Sequence, residues 1–130
     1  MKRGSKQSWR IVRMQSLENL LKSKPGIDYA GTMKRMSDNT VFYTELLRLF
    51  FKDNAPERLE RALNSKDYQN AIYEAHGLKG TAANLGLLEI SKTCAQIHVH
   101  LKNNEIEESK LLLNELKQAY FAISDLADQI

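Results

Sequence analysis

Apolar residues three or four positions apart run through nearly the whole chain, and no stretch shows the alternation of a strand set between turns. The clearest run is Ala71, Ala75, Leu78, Ala82 and Leu85, which steps by 4, 3, 4 and 3 and forms one stripe of a helix. Ile90, Cys94, Ile97 and Leu101 repeat the pattern, and Leu112, Leu116, Ala119, Ile123, Leu126 and Ile130 carry it to the end. Turn-forming residues fall between the stripes: "SKPG" at 23–26, "NSKD" at 64–67, Gly86, and "KNNE" at 102–105. Short connections between long amphipathic helices make antiparallel neighbours, so the predicted fold is all-α, an up-and-down antiparallel four-helix bundle with additional short N-terminal helices.

The N-terminal part reads less regularly. Met14, Leu17, Leu20 and Leu21 predict a short helix, and "IDYAGTMKRM" predicts a second. Asp38 is the expected N-cap of a helix through "NTVFYTELLRLFF", with Phe42, Leu46, Leu49 and Phe50 on its inner stripe. Asp53 or Asn54 caps the next, with Pro56 in the first turn and Leu59, Ala62 and Leu63 inside.

At 130 residues the chain is about one domain long. Its 19 basic and 16 acidic residues are unevenly spread: Lys2, Arg3, Lys6, Arg10 and Arg13 fall in the first 13 residues, which hold no acid, so the remainder carries a net charge of −2. A folded part with that balance lacks the basic footprint of a nucleic-acid-binding domain. The division expected is a basic N-terminal linker or helix over 1–26 and the bundle over 27–130. No apolar run reaches the roughly 20 residues of a membrane span, and the N-terminus lacks a secretory apolar region. A cytoplasmic protein with no membrane contact by this segment is expected. Cys94 is the single cysteine and lies on an apolar stripe, so it reads as a core thiol.

The segment "EAHGLKGTAANLG", residues 74–86, places two glycines inside a helix, each costing roughly 1 kcal/mol relative to alanine. At 100° per residue His76 lies roughly 120° from the centre of the core stripe, toward solvent. Lys79 and Gly80 follow at i+3 and i+4 on the same surface. Glycines there would let another macromolecule approach the imidazole. A ring with a pKa near 6.5 is mostly neutral at pH 7, so one nitrogen is a free nucleophile. A phosphoryl group placed on it would be nearly dianionic, and Lys79 supplies the compensating ammonium. The combination describes a phosphorylatable histidine.

"AHGLKGTAANLG" resembles the signature of histidine-containing phosphotransfer (HPt) domains of the bacterial type, A-H-x-L-K-G-x-A-x-x-x-G, through Ala75, His76, Leu78, Lys79, Gly80, Ala82 and Gly86. The likeness extends over roughly residues 27–125. It implies a four-helix bundle that accepts a phosphoryl group from the aspartyl phosphate of a response-regulator receiver domain and passes it to another. Carried over by position, His76 is the phosphoacceptor, Lys79 the electrostatic partner of the phosphate, and Gly80 the cleared approach. Family members often carry glutamine or glutamate on the following helix, where it orients the imidazole; here His98 stands in that place, with Lys102 one turn further. The resemblance also implies receiver-domain partners, a magnesium ion on the receiver and no cofactor on this chain. A monomer is expected, and the segment reads as a possible C-terminal domain of a hybrid sensor kinase.

Competing uses of these residues are weaker. His98 and His100 diverge at i, i+2 on a helix and make a poor metal pair. No phosphate-binding glycine loop is present, so the chain is not expected to be a kinase by itself. A helical adaptor that binds receivers without relaying phosphate is the alternative reading. The helix "TVFYTELLRLFF" has more apolar residues than one face can bury, and the surplus predicts a docking patch with Met33, Met36 and Phe42 as candidates.

Overall fold

The computed structural model describes residues 6–127, except for the side chains of residues 6–11, 13, 14, 126 and 127. Of the residues named above, Lys2, Arg3 and Ile130 lie outside the described residues, and the side chains of Lys6, Arg10, Arg13, Met14 and Leu126 lie outside the described side chains. Among the described residues seven helices follow one another: α1 (Lys6–Ser23), α2 (Tyr29–Arg35), α3 (Thr40–Asp53), α4 (Ala55–Asn64), α5 (Tyr68–Asn84), α6 (Leu88–Lys102) and α7 (Ile106–Ala127). The fold is all-α. Helices α4 to α7 form the bundle, each packing on the next and α7 returning to α4, while α3 lies along α7 and α2 packs on α1.

Three-residue turns join α4 to α5, α5 to α6 and α6 to α7, and all three close in the same way. The middle residue of each is left-handed: Lys66 at φ 61°, Gly86 at 76° and Asn104 at 62°. In each the following amide reaches back five residues, from Asp67 to Ala62 O, Leu87 to Ala82 O and Glu105 to His100 O, at 2.9, 2.9 and 2.8 Å. This is the Schellman arrangement, which satisfies carbonyls that a helix end leaves unpaired. It reverses the chain sharply, and antiparallel packing follows.

The stripes expected for α5 and α6 are the buried ones: Ala71, Ala75, Leu78, Ala82 and Leu85, then Ile90, Cys94, Ile97 and Leu101, all at most 4% exposed. Two other helices differ from expectation. In α3 the buried residues are Tyr43, Leu47, Phe50 and Phe51, whereas Phe42 and Leu49 are 51% and 55% exposed. Its N-cap is Asn39, whose side chain accepts from Phe42 N at 3.0 Å, one residue past Asp38. In α7 the buried stripe is Leu113, Leu116, Tyr120 and Ile123, with Leu112 and Ala119 only packed against it. Tyrosine decides both cases, because its hydroxyl can be buried when a carbonyl accepts from it. Tyr43 Oη donates to Leu85 O at 2.8 Å, and Tyr120 Oη lies 3.0 and 2.9 Å from Phe50 O and Phe51 O.

The N-terminal segment is tied to the turn after α5. Leu17 and Leu21 of α1 are buried, so the core includes residues before position 27. Asp28 N donates to Gly86 O at 2.8 Å, and Glu89 N donates to Gly26 O at 2.9 Å. Arg35 Nη2 donates to Asn84 O at 3.1 Å. With Tyr43 Oη, these bonds fix the C-terminal end of α5, whose middle carries His76.

Candidate phosphoacceptor site

Helix α5 starts at Asp67, whose side chain accepts from Asn70 N at 3.2 Å, and ends in the Gly86 turn. Its alanines at 71, 75 and 82 are fully buried, so the neighbouring helices pack close and the rotation of α5 is fixed. With that stripe inside, His76 is exposed and Lys79 is half-buried. Gly77 and Gly80 are exposed as well, and a Cβ added at either would meet nothing within 4 Å. Packing inside this chain therefore does not require glycine at these positions. What the glycines leave is open space around the imidazole.

Helix α6 brings the second histidine to the site. The His76 and His98 rings lie 5.4 Å apart between centroids, tilted by 46°. No hydrogen bond joins them in this arrangement, so the orienting contact expected of His98 is not formed here. Burial, and then the charges of Lys102, His76 and Lys79, hold His98 below its ordinary value of 6.5, which leaves it neutral at pH 7. Lys79 has no carboxylate partner among the described residues, and its charge is available to an incoming anion. Ser91 Oγ donates to Lys79 O at 2.9 Å and pins α6 to α5 beside the site.

On its other side His76 borders a groove between α3, α4 and α5, lined in part by Phe50, Asp53, Arg58, Tyr73, Glu74 and Thr81. Past Phe50, Asp53 and Thr81 the groove continues to Leu46, Leu49 and Leu85. The surplus apolar residues of α3 thus border the histidine helix, through Leu46 and Leu49 and not through the expected candidates. Met33 is buried, Met36 is partly buried, and Phe42 is exposed but lines neither groove.

Sequence reasoning missed Arg58. Its guanidinium donates to Asp53 Oδ2 at 2.8 Å, Asp53 O at 2.9 Å and Glu74 Oε1 at 3.2 Å, joining the end of α3 to α4 and to α5 two residues before His76. The Asp53 carboxyl is held below its usual range by the Arg58 hydrogen bond. The partners lie on three helices, so no spacing in the sequence announces them. Cys94 is buried and its thiol is pushed up to about 12, a core group unreactive near neutral pH. Among the described residues no group of three or more histidine, cysteine or acidic side chains is placed to hold a metal. No described helix is long and apolar enough to cross a membrane.

The site is thus an exposed imidazole on an antiparallel helical bundle, with a lysine and two uncrowded glycines within a turn of it on the same helix. The Hpt domain family model matches residues 45–127, well over half of the chain, and the chain belongs to that family. Its fold is similar to that of histidine-containing phosphotransfer protein B (HptB) from Pseudomonas aeruginosa PAO1, with a TM-score of 0.70 and 23% identity, covering 82% of this chain and 95% of that one. It is also similar to a rice protein assigned to histidine-containing phosphotransfer, with a TM-score of 0.74 and 16% identity, covering 94% and 92%. No curated protein is significantly similar in sequence.

Proposed function

We propose that this Hpt domain is a phosphocarrier in a multistep His-Asp relay, taking a phosphoryl group on His76 from a receiver-domain aspartate and passing it to another receiver. The observation that carries this reading is the exposed His76 ring, flanked by Lys79 and by two glycines with empty space over them. A neutral ring nitrogen attacks phosphorus, the N–P bond forms, and the P–O bond to the aspartate breaks with its electron pair going to the carboxylate. Lys79 and Lys102 offset the charge of the incoming dianion. The magnesium ion of such a transfer belongs to the receiver, and the reverse reaction uses the same contacts. Receivers dock over the groove beside α5, where Leu46 and Leu49 offer apolar contact next to the histidine.

Purified protein, its His76→Gln variant and a panel of phosphorylated receivers test this reading. Acid-labile, base-stable label on the native chain, and its chase onto a second receiver, are the expected results. Binding to receivers with no label on the chain would instead support the adaptor role.

A further inference from the structure

We propose that His98 is the proton partner of His76 in the phosphorylated protein: it accepts a hydrogen bond from the N–H that His76 keeps, and can take that proton outright. The inference rests on His76 being the phosphoacceptor. An N–H···N bond of about 3 Å between two imidazoles, whose nitrogens stand roughly 1.1 Å from the ring centres, needs centroids about 5 Å apart. The observed separation is 5.4 Å, so a small rotation closes the contact. His76 is exposed, and Gly77 and Gly80 place no side chain beside it, which leaves its ring room to turn.

The charges favour a change of protonation on phosphoryl transfer. Attack by neutral His76 on an aspartyl phosphate gives a free carboxylate and an N-phosphorylated imidazolium, which retains its proton on the other nitrogen. Passing that proton to His98 leaves a neutral phosphoimidazole and a protonated His98. In the unmodified protein, burial, Lys102, His76 and Lys79 oppose protonation of His98. A dianionic phosphoryl group on the adjacent ring opposes those cations and favours the charged form of His98. The nearby carboxylate on α5, Glu74, is already bound to Arg58 and does not compete for the role.

The consequence concerns the lifetime of the phosphohistidine. A phosphoimidazolium expels neutral imidazole when the N–P bond breaks, whereas a neutral phosphoimidazole must expel the far more basic imidazolide. A partner that removes the proton therefore protects the N–P bond, and acid that protonates the partner beforehand removes the protection. A glutamine at 98 could accept the hydrogen bond but never the proton. His98 is on this account a positioning residue acting through His76.

The test uses the whole chain, phosphorylated from a receiver that is then removed. The ring nitrogens of His98 are followed by NMR from pH 5 to 9 with and without the phosphoryl group, and phosphohistidine lifetime is followed over the same range in wild type and His98→Gln. The expected results are a His98 titration raised by about one pH unit on phosphorylation, and a lifetime profile whose acid limb shifts in the variant. An unmoved His98 titration overturns the inference from the wild type alone, even if the variant folds poorly. Superimposable lifetime profiles also overturn it. Absence of label on wild-type His76 would overturn the phosphoacceptor assignment itself, and the inference with it.

Discussion

Gly86 stands so close to Thr32 that a Cβ built on it would lie 2.1 Å from Thr32 Oγ1 and 2.6 Å from Asp28 O. At Gly77 and Gly80, one helix turn apart beside His76, the same added atom would meet nothing. The glycines of one short segment thus serve different ends: Gly86 lets α2 dock on the turn after α5, and the other two leave the imidazole uncovered.

Alanine substitutions separate these roles. Gly86→Ala should lower unfolding free energy by roughly 2–4 kcal/mol, combining a left-handed backbone with a steric clash. Gly77→Ala and Gly80→Ala should each raise it by up to about 1 kcal/mol. Gly80→Gln should remain folded yet slow phosphoryl transfer, because the longer side chain occupies the approach. Denaturant unfolding and transfer rates check these outcomes; transfer at the wild-type rate in Gly80→Gln would refute the steric role.

On the proposed function, Lys79 should bear on transfer more than on folding. Its ammonium has no acidic partner among the described residues, so Lys79→Ala should change stability by less than about 0.5 kcal/mol. Loss of a charge-assisted contact to the phosphoryl group should slow transfer about tenfold. A variant that transfers normally would remove Lys79 from the site.

Stability should fall on mild acidification. His98 has its folded value below 6.5, so as pH drops the unfolded chain takes up the proton first. The stabilisation is present above pH 6.5 and is lost as pH falls through the lowered value. Asp53, held below its ordinary 3.8 by the Arg58 hydrogen bond, contributes its own loss in stronger acid, as pH falls below 3.8 and through the lowered value. Melting temperatures at pH 7.5 and 5.5 should show a larger drop in wild type than in His98→Gln, and equal drops would contradict the account.

The helices nearest the site were the most legible in sequence. The stripes of α5 and α6 contain alanine, cysteine and aliphatic residues at steps of three and four, with mostly polar or small residues between them, so the apolar face of each could be read. Helix α3 is apolar on two faces, and its phase is decided by Tyr43 reaching Leu85 O, a contact 42 residues away in sequence. Tyr120 shifts α7 in the same way. The turns were legible as turns, and Gly86 and, less strongly, Asn104 are residues that favour the left-handed position they occupy; Lys66 is not. His76, Lys79 and Gly80 could be grouped from one segment because a helix places them within one turn of each other. The Arg58 contacts and the groove needed three helices brought together.

The most direct measurement is phosphoryl transfer from a phosphorylated receiver to wild type, His76→Gln and His98→Gln, with the labelled residue located by mass spectrometry. Label on His76 in wild type and in His98→Gln, and none in a folded His76→Gln, is the predicted result. Label that persists in His76→Gln, or that is located on His98, would contradict the assignment of His76 as the phosphoacceptor.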